Sequence, residues 1–149
     1  MSIFTKGASR VYAKVYNSTP QSINSGAYPV AILFNSEVED ALDMHSNVSN
    51  TERLTCVSAG LYLILASISW YISAVGFRDV EVWKNGTLIA QANCFTNSAV
   101  YHTIVFVSTI IPLAENDYIW ISGYQDTGGA LAADAGEYIT YLSAVKISN

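Results

Sequence analysis

The pattern of apolar and polar positions in residues 57–77 raises the first structural question. This stretch, VSAGLYLILASISWYISAVGF, is 21 residues long and has no charged side chain, and about 20 apolar residues can cross a bilayer as a helix. Its even positions from 62 to 72 are apolar throughout, whereas its odd positions change from leucine to serine and tyrosine after Leu65. Alternation between two faces is typical of a strand. We therefore predict a core strand over Gly60–Ile72 and no membrane span.

The remaining pattern also predicts strands separated by turns. Alternating residues on either side of Asn85-Gly86 are a strong hairpin signal, and AVYHTIVFVSTIIPL predicts another long strand. The acidic segment at residues 36–45 predicts one helical turn at most. Around nine strands at regular spacing indicate an all-β sandwich or jelly roll. Other predicted strands are Arg10–Tyr16, Val30–Asn35, Arg53–Val57, Tyr118–Gln125 and Tyr138–Ile147.

Composition narrows the function classes. A chain of 149 residues fits one domain with a substantial core. Charged residues make up only 13%, about half the usual share, which indicates either an uncharged polar surface or a surface covered by other subunits. The net charge of −5 and the scattered bases argue against nucleic-acid binding. The N-terminus has no apolar core of signal-peptide length, and Cys56 and Cys94 define no disulfide framework.

Four segments, in order, carry a family resemblance. They are AILFNSEVED with MHSN, RLTCVSAGLYLILASISW, VEVWKNGTLIA, and residues 110–147. Together they resemble the globular head domain of complement component 1q and its tumour-necrosis-factor-like relatives. The Gly60-Leu61-Tyr62 start of one strand and the Asn85-Gly86 end of another match that family, and VYNSTPQSI and DMHSN are similar to its phage and bacterial members. Asn116-Asp117 stands where the family has Gly-Asp, Tyr141 stands where it often has phenylalanine, and the collagen-like stalk is absent.

The resemblance implies a jelly roll of two antiparallel sheets over residues 11–149, preceded by an N-terminal arm at residues 1–10. It also implies a homotrimer in which the strand at residues 60–70 and the last strand lie near the threefold axis. Residues that are apolar on both faces of these strands would then form the subunit interface. The predicted interface residues are Leu61, Tyr62, Leu63, Leu65, Tyr138 and Tyr141.

The phage-like start favours a non-enzymatic role on the surface of a bacteriophage particle. The protein would be made in the host cytoplasm and would serve as a capsid decoration (cement) protein or a fibre tip, bound to the major capsid or fibre protein. The arm is polar with Ile3 and Phe4 as its apolar anchors, and these two residues with Lys6 and Arg10 are predicted to dock on the particle. The alternative is a recognition module whose loops bind a host-surface glycan or protein.

Candidate chemistry is sparse. Neither His45 nor His102 lies in a metal or nucleophile motif, and the sequence contains no zinc-protease, serine-hydrolase or phosphate-loop signature. We therefore expect no enzymatic activity and no cofactor. Loop carboxylates are ligands that calcium prefers, although a solvated acidic loop is the simpler interpretation. The candidate calcium ligands are Asp117, Asp126, Asp134 and Glu137.

Overall fold

The computed structural model describes residues 11–96 and 98–149, and over these ranges the chain is built from strands. The predicted docking residues Ile3, Phe4, Lys6 and Arg10 lie outside the described residues. The described ranges contain no helix that is long and apolar enough to cross a membrane. The strands are β1 (Tyr12–Tyr16), β2 (Gln21–Ile23), β3 (Val30–Ala31), β4 (Ser36–Asp40), β5 (Arg53–Thr55), β6 (Gly60–Trp70), β7 (Phe77–Lys84), β8 (Thr87–Phe95), β9 (Thr103–Leu113), β10 (Tyr118–Gln125), β11 (Leu131–Ala133) and β12 (Tyr141–Ser148).

Two antiparallel sheets form the sandwich. In the first sheet, β6 pairs along one edge with β9 over all eleven of its residues, and along the other edge with β12 and β11. The order continues from β12 through β1 to β4, while β2 lies beside β11. In the second sheet, β10 pairs with β7 on one side and with β3 and β5 on the other, and β8 follows β7. This arrangement confirms the predicted all-β jelly roll.

The core lies between the two sheets. The even positions of β6 from Tyr62 to Trp70 are fully buried, as the period-two pattern predicted. They face Ile119 and Ile121 of β10 and Val80 and Val82 of β7, which belong to the same apolar cluster. The alternation along each strand therefore places one apolar face inside and leaves the other face to the surface or to a partner.

The odd face of β6 is covered at its serine half. Ser67 and Ser69 are buried although they are polar and point away from the core. The segment at residues 134–140 covers them, because the Ser67 hydroxyl donates to the Ile139 carbonyl at 2.8 Å and the Ser69 amide donates to the Thr140 hydroxyl at 3.1 Å. Residues of the same chain thus cover the serine half of this face, whereas the leucine half remains partly exposed.

Several predicted element boundaries were wrong. The segment expected to contain one helical turn forms β4, since its residues extend the first sheet beside β1. Only Val30–Ala31 of the run Val30–Asn35 is a strand, and the last strand begins at Tyr141 instead of Tyr138 because the chain turns at residues 136–140. The Asn85-Gly86 hairpin is confirmed: Lys84 pairs with Thr87 across it.

Candidate subunit interface

The outer face of the first sheet carries an apolar row across four strands. The register places Ile110 of β9 beside Leu63 of β6, Leu63 beside Val145 of β12, and Val145 beside Tyr12 of β1. Neighbouring side chains on one face of a sheet lie about 5 Å apart, so these four side chains form one continuous strip. We call this strip the apolar row.

Two further apolar side chains on β9, Ile104 and Phe106, extend the apolar row beyond Ile110. Ile104 is 56% exposed and Phe106 is 48% exposed, and Ile110 itself is 56% exposed. β9 has no charged residue, and the register aligns Phe106 with Ser67 and Tyr141. Contiguous exposed apolar surface of this kind is typical of a protein–protein contact.

Two charged side chains lie next to each other towards the β4 edge of this face, Lys14 of β1 and Glu39 of β4. The Lys14 ammonium is 4.4 Å from the centre of the Tyr141 ring and 5.8 Å from that of the Tyr138 ring. An ammonium over an aromatic face is attracted by the ring quadrupole. The tyrosines therefore hold the lysine side chain flat against the sheet beside the apolar row.

The structure sorts the predicted interface residues into three groups. Leu61, Leu63 and Leu65 are half-buried on the open face, and Tyr141 lies on the same face. Tyr138 is 81% exposed in the turn before β12. The prediction for Tyr62 was wrong. Its side chain is fully buried in the core and its hydroxyl donates to the Ser58 carbonyl at 2.6 Å, so Tyr62 cannot contact another subunit.

Sequence reasoning missed half of this surface. Ile104, Phe106 and Ile110 belong to a strand that is apolar on both faces, so the pattern did not show which face was open. Tyr12 and Val145 carry an equally ambiguous signal. Strand pairing assigns all five residues to one side of the sheet.

Comparison with solved structures now identifies the architecture. Eiger, a tumour necrosis factor from S. frugiperda, superposes with a TM-score of 0.72 at 12% identity over 95% of each chain. The fold is that of tumour necrosis factor. Murine APRIL matches with a TM-score of 0.65 at 10% identity, and the globular domain of zebrafish complement 1qA protein with 0.63 at 17% identity, each over 93% of this chain and 99% of the other. At these identities the likeness shows the fold, and no family model or curated protein matches the sequence.

Within this tumour-necrosis-factor-like fold, the candidate calcium ligands are spread apart. Asp117 and Asp126 lie at opposite ends of β10. The Asp126 carboxylate accepts the Phe77 amide at 2.5 Å, and Asp134 lies 3.1 Å from His102. No group of three or more metal-ligating side chains occurs in the described ranges. Each of these three aspartates instead has a local partner.

His45 and the two cysteines lie in structural surroundings. His45 is buried, with Nδ1 at 2.9 Å from the Glu37 carboxylate and Nε2 at 3.1 Å from the Thr51 carbonyl. Cys56 and Cys94 are both free thiols, and burial raises the pKa of Cys94. A buried thiol with a raised pKa is a poor nucleophile.

Asp117 joins two turns at one end of the sandwich. Its carboxylate accepts hydrogen bonds from Asn85 at 3.0 Å and from the Ala114 amide at 2.8 Å, and it pairs with Lys84 at 2.9 Å. The hydrogen bond from Asn85, followed by that from Lys84, lowers the pKa of Asp117 to about 2. Ionised Asp117 therefore stabilises the fold.

We expect Asp117→Asn to lower the free energy of unfolding by about 1–2 kcal/mol at pH 7, after allowance for solvent screening of a partly exposed pair. A lowered folded-state pKa contributes stability above the ordinary pKa, and this contribution is lost as the pH falls through about 2. Urea titrations at neutral and acidic pH should show that the loss disappears in acid. Glu115→Gln, at an exposed position of the same turn, is the control. An equal loss at both pH values would contradict this assignment.

Proposed function

We propose that this protein is a homotrimeric, non-enzymatic component of the bacteriophage surface, either a capsid decoration protein or a fibre tip. The observation that carries the proposal is the apolar row on the open face of the first sheet. A self-associating face needs apolar, uncharged surface at its centre, and this face provides it across four strands. Trimers are what the family resemblance implies for this fold.

The role of such a trimer is mechanical. Three subunits would exclude water from their apolar rows and present the second sheet and the loops outward. The resemblance of VYNSTPQSI and DMHSN to phage members supports the virion location, and the low charge of the chain, with only 13% charged residues, supports burial of its surface by other subunits. Co-sedimentation of the protein with purified particles tests this location directly, and its absence from every particle fraction would overturn it.

Attachment to the particle is assigned to residues 1–10. Deletion of these residues should leave a folded trimer that no longer binds particles, because the deletion removes Ile3, Phe4, Lys6 and Arg10 and keeps all twelve described strands. Mass by light scattering and binding to undecorated particles measure the two properties separately. Full particle binding by the truncated trimer would show that another surface docks.

The loops at one end of the sandwich favour a second candidate function, recognition of the host. The connection from β6 to β7 and the connection from β8 to β9 meet at this end. They expose Val75 at 56%, Val100 at 67% and Tyr101 at 74%. Tyr101→Ala should then reduce binding of soluble trimer to host cells without changing its mass or its attachment to particles. Unchanged cell binding would argue against this function.

A further inference from the structure

Two carboxylates lie side by side on the outward face of β7. Asp79 and Glu81 are two residues apart and therefore point to the same side of the strand, whereas Val80 and Val82 point into the core. Although they lie on the outer side, Asp79 is only 4% exposed and Glu81 only 3% exposed. Neighbouring side chains must therefore cover both carboxylates.

Aromatic rings surround the pair. The register places Tyr124 of β10 beside Asp79. The Phe77 ring centre lies 6.1 Å from that of Tyr124 and 5.3 Å from that of Phe95, and Tyr28 lies 6.1 Å from Tyr124. At the other end of the pair, Trp83 lies 6.5 Å from Tyr28. We call this set the aromatic frame: Tyr28, Phe77, Trp83, Phe95 and Tyr124.

The hydrogen bonds of the two carboxylates are unequal. Glu81 accepts from the Tyr28 hydroxyl at 3.0 Å through one oxygen and from the Ser122 hydroxyl at 2.6 Å through the other. Asp79 accepts from the Gln91 amide at 2.8 Å through Oδ2. Its Oδ1 is fully buried and accepts no hydrogen bond from any described residue. Since buried polar atoms are nearly always paired, Asp79 has one acceptor position for which residues 11–96 and 98–149 supply no donor.

Within the described part of the chain, the charges of the two carboxylates are also uncompensated. The ion pairs formed by the described residues all lie elsewhere. Arg78 adjoins Asp79 in the sequence, but its guanidinium donates to the carbonyls of Phe77 and Val75. Burial raises the pKa of Asp79, and the negative charge of Glu81 raises it further. Desolvated carboxylates without a cation are unfavourable, so this surface favours a positively charged ligand.

We propose that Asp79, Glu81 and the aromatic frame bind an amino sugar through its free, protonated amine. The ammonium would offset one of the two negative charges and donate to the empty Asp79 Oδ1, and the aromatic faces would attract the cation and stack on the sugar ring. A neutral sugar supplies a hydrogen-bond donor but leaves the charge of the carboxylates uncompensated. A quaternary ammonium supplies a positive charge but no hydrogen-bond donor. The exposed amides of Gln91 and Asn93, on the neighbouring strand β8, can meet the ring hydroxyls.

Gln91 controls access in this arrangement. Its amide occupies Oδ2 of Asp79, and its side chain is exposed. An entering ammonium would take the place of this neutral donor. Removal of Gln91 should therefore leave the site open and preserve or strengthen binding, whereas loss of the Asp79 charge should abolish it. The site faces away from the apolar row and does not depend on the proposed trimer or on the particle.

Titration of the full chain with glucosamine, N-acetylglucosamine and glucose measures the contribution of the free amine to binding, because the three sugars have the same ring and only glucosamine carries a free amine. Fluorescence of Trp83, whose ring stacks on Trp120 at 5.2 Å, reports binding. We expect glucosamine to bind at least about tenfold more tightly than either neutral sugar. Asp79→Asn should weaken glucosamine binding by a similar factor, and Gln91→Ala should not weaken it. Asp43→Asn, at an exposed turn position, is the matched control.

The assignment is overturned if the neutral sugars bind as tightly as glucosamine. It is also overturned if glucosamine binds neither the native protein nor the Gln91→Ala variant. Tighter binding of lysine amide than of glucosamine would overturn the sugar assignment in favour of a protein partner. Misfolding is not expected to obscure the result, since Asp79→Asn removes a desolvated charge and should raise the midpoint of thermal unfolding. Circular dichroism checks the fold of each variant.

Discussion

Leu63→Asp is expected to abolish the proposed trimer. Leu63 lies in the middle of the apolar row, between Ile110 and Val145, so a threefold contact there would bury three carboxylates without partners. An uncompensated buried charge costs about 3 kcal/mol or more in each subunit, which is more than a hundredfold in the association constant. Light scattering should change from about three times 16.2 kDa for the native chain to 16.2 kDa for the variant.

Two further variants make the result specific to this face. Leu88→Asp introduces the same change on the second sheet, at a side chain that is 38% exposed, and should leave the trimer intact. Ile110→Asp repeats the test at a residue that is 56% exposed in the subunit, where the monomer fold tolerates a charge. A native chain that is monomeric at micromolar concentration, or a Leu63→Asp variant that stays trimeric, would falsify the proposed interface.

Trp70→Ala is expected to lower the free energy of unfolding by about 3–5 kcal/mol, a large part of the stability of a typical domain. The fully buried Trp70 ring reaches across the sandwich from β6 to β10. A Cβ on Gly123 would lie 3.0 Å from that ring, so the glycine provides the space that the indole fills. Alanine would leave a cavity between the two sheets. Urea denaturation at one fixed chain concentration measures the loss, because the proposed association would also contribute to stability.

Comparison with Trp70→Phe separates packing from hydrogen bonding. The Trp70 indole nitrogen is buried and has no hydrogen-bond partner among the described residues, so phenylalanine loses volume but also removes an unpaired donor. It should therefore cost clearly less than alanine. Tyr101→Ala, at a side chain that is 74% exposed, should change stability by no more than about 0.5 kcal/mol. If the two alanine variants lost equal stability, the central position of Trp70 in the core would be contradicted.

The fold was largely predictable because one face of most strands had to enter a single core. The alternation in β6 and the Asn85-Gly86 turn were sufficient to assign antiparallel strands and a hairpin. Boundaries failed where side-chain pattern does not decide backbone pairing. The acidic residues of β4 resemble a solvated loop, yet they pair with β1 at the edge of the first sheet.

The candidate interface was predictable only in part, since a strand that is apolar on both faces does not reveal which face is open. Tyr62 and Leu63 are adjacent and equally apolar, but the first lies in the core and the second on the surface. Similarly, the alternation of Asp79 and Glu81 with Val80 and Val82 indicates that the two carboxylates share one face of β7. Their burial depends on Tyr28, which lies more than fifty positions away in the sequence and reaches them only through tertiary structure.

The pairing of β9 also bears on how the protein reaches its native state. Among the described residues, β9 pairs only with β6, and its eleven residues TIVFVSTIIPL carry no charge. Uncharged segments rich in β-branched residues add readily to other strands and can grow into cross-β fibrils. Pro112 interrupts this tendency near one end by removing a backbone donor. An unassembled chain therefore presents a template for aggregation, and rapid formation of the proposed trimer would protect the newly made chain.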